Sequence, residues 1–105
     1  MDTPKRLFGP ALLTNSAADK YTVPSSTTAI IKNIIVNNTS GSAATFTLSI
    51  GADAAGTELF TAVSIAANTT VVYSVWIVMA AAEKIQALSG TTSVLNLTLN
   101  GIEIS

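Results

Sequence analysis

The sequence predicts an all-β fold, a single antiparallel β-sandwich, Ig-like or jelly-roll-like, of about eight strands. Three observations carry that expectation. Turn signals recur at short intervals, at Asn15-Ser16, Pro24-Ser25-Ser26, Asn38-Thr39-Ser40-Gly41, Gly51 to Gly56, Ala67-Asn68, Ser89-Gly90 and Asn100-Gly101. The segments between them are rich in Val, Ile and Thr, whose branched side chains suit a pleated surface. From Ala44 the chain alternates, Phe46, Leu48 and Ile50 against Thr45, Thr47 and Ser49, as a strand does with one face in a core and the other in water. At 105 residues the chain is long enough for one core without staples, so residues 1–105 read as one domain.

Each element follows from local chemistry. Lys5-Arg6 and the apolar run Leu7 to Leu13 faintly imitate a secretion signal, but the run is short and broken by Gly9-Pro10. Proline in a sheet belongs at an edge, so Leu7–Thr14 reads as a first edge strand. Lys20–Val23 follows. In Ala29–Asn37 large residues fall on both faces: Ile30, Ile31, Ile34, Ile35 and Val36. A bulge at Lys32-Asn33 would set Ala29 and Ile31 with Ile34 and Val36 on the core face, leaving Ile30 and Ile35 on the other.

Ala44–Ile50 and Glu58–Ser64 come next, then Thr70–Val78. There Val71, Tyr73, Val75 and Ile77 share one face while Val72, Trp76 and Val78 share the opposite one. Two strands are thus apolar on both sides. Met79 to Leu88 has helical propensity in its Ala-Glu-Lys centre but is too short for a stable helix. A turn, at most one helical turn, is expected there, leading into a strand over Lys84–Leu88. In the last strand, Val94–Ile104, Leu95, Leu97 and Leu99 have one parity and Ile102 and Ile104 the other; a bulge at Asn100-Gly101 would return both sets to the core.

Composition narrows the function classes. The chain has no cysteine and no histidine, which removes thiolate chemistry, cysteine-based zinc sites, the commonest general base and the commonest metal ligand. No catalytic, metal or cofactor site is expected. Five Lys+Arg against six Asp+Glu give a net charge of -1, with no field to attract phosphate or anionic lipid. Nucleic acid and membrane are therefore not expected partners, and the best apolar run, Val75 to Ala82, is far short of a helical membrane span. Only 10% of residues are charged while 49% are hydrophobic, which suits an assembled protein better than a free monomer. The sequons at Asn37, Asn38, Asn68 and Asn96 follow from Asn/Thr richness and carry meaning only in a secreted chain.

Candidate chemistry is sparse. Asp53 and Glu58, in and beside "GADAAG", form the closest acidic pair; such a pair can serve glycoside hydrolysis or calcium, but the loop lacks the alternating Asp/Asn ligands, and solubilising acids explain it better. The loop also lacks the Gly-Lys-Ser/Thr ending of a phosphate cradle. Asp19-Lys20 and Glu83-Lys84 read as solvated strand ends. Trp76 is either a plug between the sheets, the commoner role in sandwiches, or an exposed aromatic that stacks on sugar or anchors a partner; Tyr73 and Phe60 share the ambiguity. Thr45/Thr47 and Thr91/Thr92 lack the repeat of an ice-binding array. Lys5, Arg6, Lys20 and Lys32 are either a weakly basic edge or dispersed lysines that discourage edge pairing.

The order of Tyr21-Thr22-Val23-Pro24, the Thr28-to-Asn38 strand, Thr39-Ser40-Gly41, the Thr45-to-Ile50 strand, Ile65-Ala66-Ala67-Asn68 and Asn100-Gly101-Ile102-Glu103-Ile104 resembles small β-sandwich structural proteins of tailed bacteriophages. The likeness spans nearly the whole chain and rests on order and spacing. It departs at Ala82-Glu83, where such proteins often carry a Gly-Asp turn. What the resemblance implies is a non-enzymatic component of the virion, by preference a capsid decoration or cement protein bound to the phage major capsid protein. Such decorators are commonly homo-oligomers, often trimers, which would put Ile30, Ile35, Val72 or Trp76 at an interface. The alternatives are a tail, neck or fibre-associated module, or a carbohydrate-binding module.

Overall fold

The computed structural model describes residues 2–51 and 56–105. Eight strands run in the order β1 (Asp2–Leu12), β2 (Ala18–Thr22), β3 (Thr28–Asn38), β4 (Ala44–Ile50), β5 (Glu58–Ile65), β6 (Thr70–Met79), β7 (Lys84–Ser89) and β8 (Leu95–Ile104). They form two four-stranded antiparallel sheets, β1-β8-β3-β6 and β2-β7-β4-β5, packed as a β-sandwich. This strand order is that of a jelly roll, which decides between the two topologies expected. The core lies between the sheets, where Ile31, Ile34, Val36, Phe46, Leu48, Ile65, Met79, Ile85, Leu95, Leu97 and Leu99 are fully or almost fully buried.

The strand limits lie close to those expected, with one larger difference. β1 begins at Asp2 rather than Leu7, because Asp2 through Arg6 pair with Ile104 through Asn100 of β8. Charged and proline residues early in β1 hide a strand from pattern reading, since an edge tolerates both. Gly9 is required by geometry: it has φ of 81°, and a Cβ there would collide with the Leu97 carbonyl oxygen.

The bulge expected in β3 is present. Register shifts between Ile31 and Asn33 against both neighbours, so Ala29, Ile31, Ile34 and Val36 are buried while Ile30 and Ile35 turn outward. The bulge expected at Asn100-Gly101 is not. β8 keeps one parity from Leu95 to Ile102, and the extra residue opposite Asn100-Gly101 lies on β3 instead. Gly101 occupies the inward position, where a Cβ would collide with the Ile30 carbonyl oxygen, and Ile102 faces outward beside Ile30. A small residue at the crowded point replaces the bulge that a larger one would have needed.

Two loops are fixed by polar groups. The buried Asn38 side chain uses its full capacity, with Nδ2 donating to the Ser42 and Ile65 carbonyls and Oδ1 accepting from the Ser40 amide and hydroxyl. That pins the β3–β4 turn. Between β6 and β7 the chain makes a turn and no helix: Ala82 has φ of 70°, its amide donates to the Val23 carbonyl, and the Glu83 carboxylate accepts from the Ala80 amide.

Candidate interaction surface

The two sheets present unlike outer faces. On the β2-β7-β4-β5 sheet the outward positions are Thr45, Thr47, Gln86, Lys84 and Ser64, with Leu88 and the 47% exposed Leu59 of β5 among them; Ser49, expected to face water, is buried instead and donates its hydroxyl to the Gly51 carbonyl. Asp19 accepts from Gln86 and pairs with Lys84 at 3.2 Å on this face. Those contacts hold its carboxyl below the usual range, the Gln86 hydrogen bond first and Lys84 second. This is the ordinary polar exterior of a half-buried sheet.

The outer face of the β1-β8-β3-β6 sheet is different. Ile30, Ile102 and Val78 stand in one row across three strands, and Ile35, Thr98 and Val72 in another. Asn33, Asn100 and Ser74 lie between them, with Asn100 donating to Asn33 at 2.8 Å. A row of Asn37, Asn96 and Thr70 closes one end, where Thr70 donates to Asn37. Val72, Trp76 and Val78 are 57%, 64% and 58% exposed, which puts three large apolar side chains of one strand in water.

Trp76 is therefore no plug between the sheets, and the commoner reading of the lone tryptophan is corrected. The alternation of β6 decides it: Tyr73, Val75 and Ile77 take the inward positions, and Tyr73 stacks against Phe60 of β5 at 4.8 Å between ring centroids. The sheets are bridged there by Phe60 of β5 and Tyr73 of β6, with Phe46 of β4 packed beside Phe60, rather than by Trp76. Lys32, turned outward by the bulge, sets its ammonium 4.0 Å from the Trp76 ring centroid, a cation–π contact that braces the indole on the surface. Ile30, Ile35, Val72 and Trp76 thus share one face; Ile102, Ile104 and Val78 join them, and sequence reading missed the first two by placing a bulge in β8. The unbroken parity Asn96, Thr98, Asn100, Ile102 was the available signal.

Several of the other charged groups make contacts within the chain. Glu103 accepts from the Tyr21 hydroxyl at 2.5 Å and pairs with Lys5 at 3.2 Å, tying β2 of one sheet to β8 and β1 of the other. The Tyr21 hydrogen bond, then Lys5, hold the Glu103 carboxyl below its ordinary value, while burial and then Glu103 push the Tyr21 phenol well up. Glu58 accepts from Thr61, and Lys20 lies 5.7 Å from the Phe8 ring centroid. The early cations do not gather into one basic patch: Lys5 is bound to Glu103 and Lys32 to Trp76. Asp53 lies outside the described residues, so the Asp53–Glu58 pair has no geometry here. Among the described residues there is no cavity and no group of three His, Cys, Asp or Glu side chains that could hold a metal ion. Compared with protein-family models, with curated proteins and with solved structures, the chain matches none.

Proposed function

We propose that this chain is a non-enzymatic virion structural protein of a tailed phage, a capsid decoration protein that docks on the major capsid lattice through the outer face of the β1-β8-β3-β6 sheet. The observation that carries the reading is the contrast between the two outer faces, one mainly polar with a single well-exposed large apolar side chain, Leu59, among its described residues, and one bearing Val72, Trp76 and Val78 well exposed. Apolar rows interleaved with hydrogen-bonding Asn, Ser and Thr are the mixed surface that a non-obligate protein–protein contact uses. Docking repeated over a lattice needs only modest energy per copy, since multivalent attachment multiplies it. Support of a weaker kind comes from the jelly roll, a topology frequent in viral capsid proteins, which is analogy at the level of fold.

The test is co-sedimentation with purified phage capsids. The wild-type chain should co-sediment, Trp76→Ser and Ile35→Lys should weaken binding roughly tenfold or more, and Thr47→Lys on the opposite sheet should not. Equal binding by all variants would refute docking through this face. The exposure of Trp76 also favours a second reading, carbohydrate binding by stacking on the indole. Quenching of Trp76 fluorescence by glycans but not by capsids would select it.

A further inference from the structure

Each sheet ends in two edge strands, and an edge offers a row of backbone N–H and C=O groups to any passing strand. Three of the four edges here carry devices that discourage such pairing. β1 has Pro4, Lys5, Arg6, Pro10 and two register shifts. β2 is five residues long and carries Asp19 and Lys20. β5 is interrupted by two register shifts, with Ala62 at φ of 44° and Glu58 at its start. β6 carries neither charge nor proline and is not short: its ten residues are TVVYSVWIVM. Its register shift against β3 leaves the alternation of its side chains intact.

We propose that β6 is a self-association edge, pairing antiparallel with β6 of a second copy about a two-fold axis to join the two β1-β8-β3-β6 sheets into one continuous sheet. A second copy fits because the strand is self-complementary. In antiparallel pairing opposite residues share a face, so the register must set outward residues against outward ones. With Val75 on the axis, Val72 meets Val78 of the partner copy, Tyr73 meets Ile77 and Val71 meets Met79, and no like charges are brought together.

The size is adequate. A strand of this length spans about 33 Å, and with the molecule's shortest extent of 18 Å it defines a strip of roughly 600 Å² per copy. The pair then buries about 1,200 Å², the low end for specific complexes. The joined sheets would also set both copies' Val72, Trp76 and Val78 on one extended apolar face. Pairing through the edge does not depend on what that face binds.

The experiment uses the purified chain alone, so its outcome is separate from capsid docking. Mass is measured by light scattering from about 1 µM to about 1 mM, with amide hydrogen exchange over Thr70–Met79 at both ends of the range. The expected result is a dimer of the 10.8 kDa chain in which the alternate β6 amides facing away from β3 gain protection as the dimer forms. Val72→Lys/Val78→Lys, at exposed positions, should weaken dimerisation roughly tenfold by setting like charges opposite one another, and Val72→Glu/Val78→Lys should restore it. A monomer throughout, a trimer, an oligomer whose outward β6 amides stay unprotected, or equal weakening by both double variants would overturn the proposal.

Discussion

Ala82 occupies the left-handed region at φ of 70°, a conformation that costs an L-residue with a Cβ about 1–2 kcal/mol. Glycine adopts this geometry without strain, and here an alanine holds it. Ala82→Gly should raise stability by about 0.5–1 kcal/mol in urea denaturation, the strain relieved being partly offset by the freer unfolded chain. Asn38 argues the opposite way. Its side chain is fully buried and makes four hydrogen bonds, the one to Ile65 wholly out of water, so Asn38→Ala should cost on the order of 2–3 kcal/mol by leaving the Ser40 amide and the Ile65 carbonyl without their partner. Asn38 looked like one more turn asparagine, because sequence does not distinguish a side chain that faces solvent from one that closes a loop from within.

The Tyr21–Glu103–Lys5 cluster sets a pH dependence at the same scale. Glu103 titrates lower in the folded chain than in the unfolded one, so the unfolded state binds more protons as acid is added. Its contribution is present above the unfolded value of about 4.3 and is lost as pH falls through the folded value. Tyr21 is shifted upward, so its contribution is complete below about pH 10 and declines above it. Glu103→Gln should flatten the acid limb of a thermal-melting profile against pH. Tyr21→Phe should reduce that limb, since it removes the largest cause of the Glu103 shift.

At the scale of elements, β3 and β8 are matched by a bulge on one and a glycine on the other. Gly101 faces inward against the Ile30 backbone, so Gly101→Ala should destabilise by on the order of 2 kcal/mol in equilibrium unfolding, through overpacking that neither strand can relieve alone. Both strands showed the signal of a parity change in their sequences. Only β3 resolves it with a bulge. A run such as Leu99-Asn100-Gly101-Ile102 is compatible with either solution, and the choice depends on the neighbouring strand, which is distant in sequence. Ile30 and Ile35 were legible as outward residues because the bulge at Lys32-Asn33 was read correctly.

For the whole molecule, the asymmetry of its exterior is the main determinant of behaviour. Ile30→Lys and Ile35→Lys add charge to a face that the monomer leaves half-buried, outside the core. Each should leave the melting temperature of the isolated chain within a few degrees while weakening attachment to capsids. Unfolding of both variants would place these isoleucines in the core and remove the interface argument. The proposed docking would also account for the low charge, since a surface covered on a lattice needs less charge to stay soluble.

The sequence by itself determined the class of fold, the number of strands and the faces of most of them, because period-two alternation and turn chemistry are local properties. It also determined that thiol and imidazole chemistry are missing, which is a matter of composition. The tertiary structure alone decided which strands are neighbours, and so that the topology is a jelly roll. It decided too that Trp76 lies in water while Phe60 and Tyr73 bridge the sheets, and that β6 is an edge without protection. The physical reason is the same in each case: burial, edge position and cross-strand register depend on residues far apart in the chain, and no local pattern specifies which of two apolar faces meets the core.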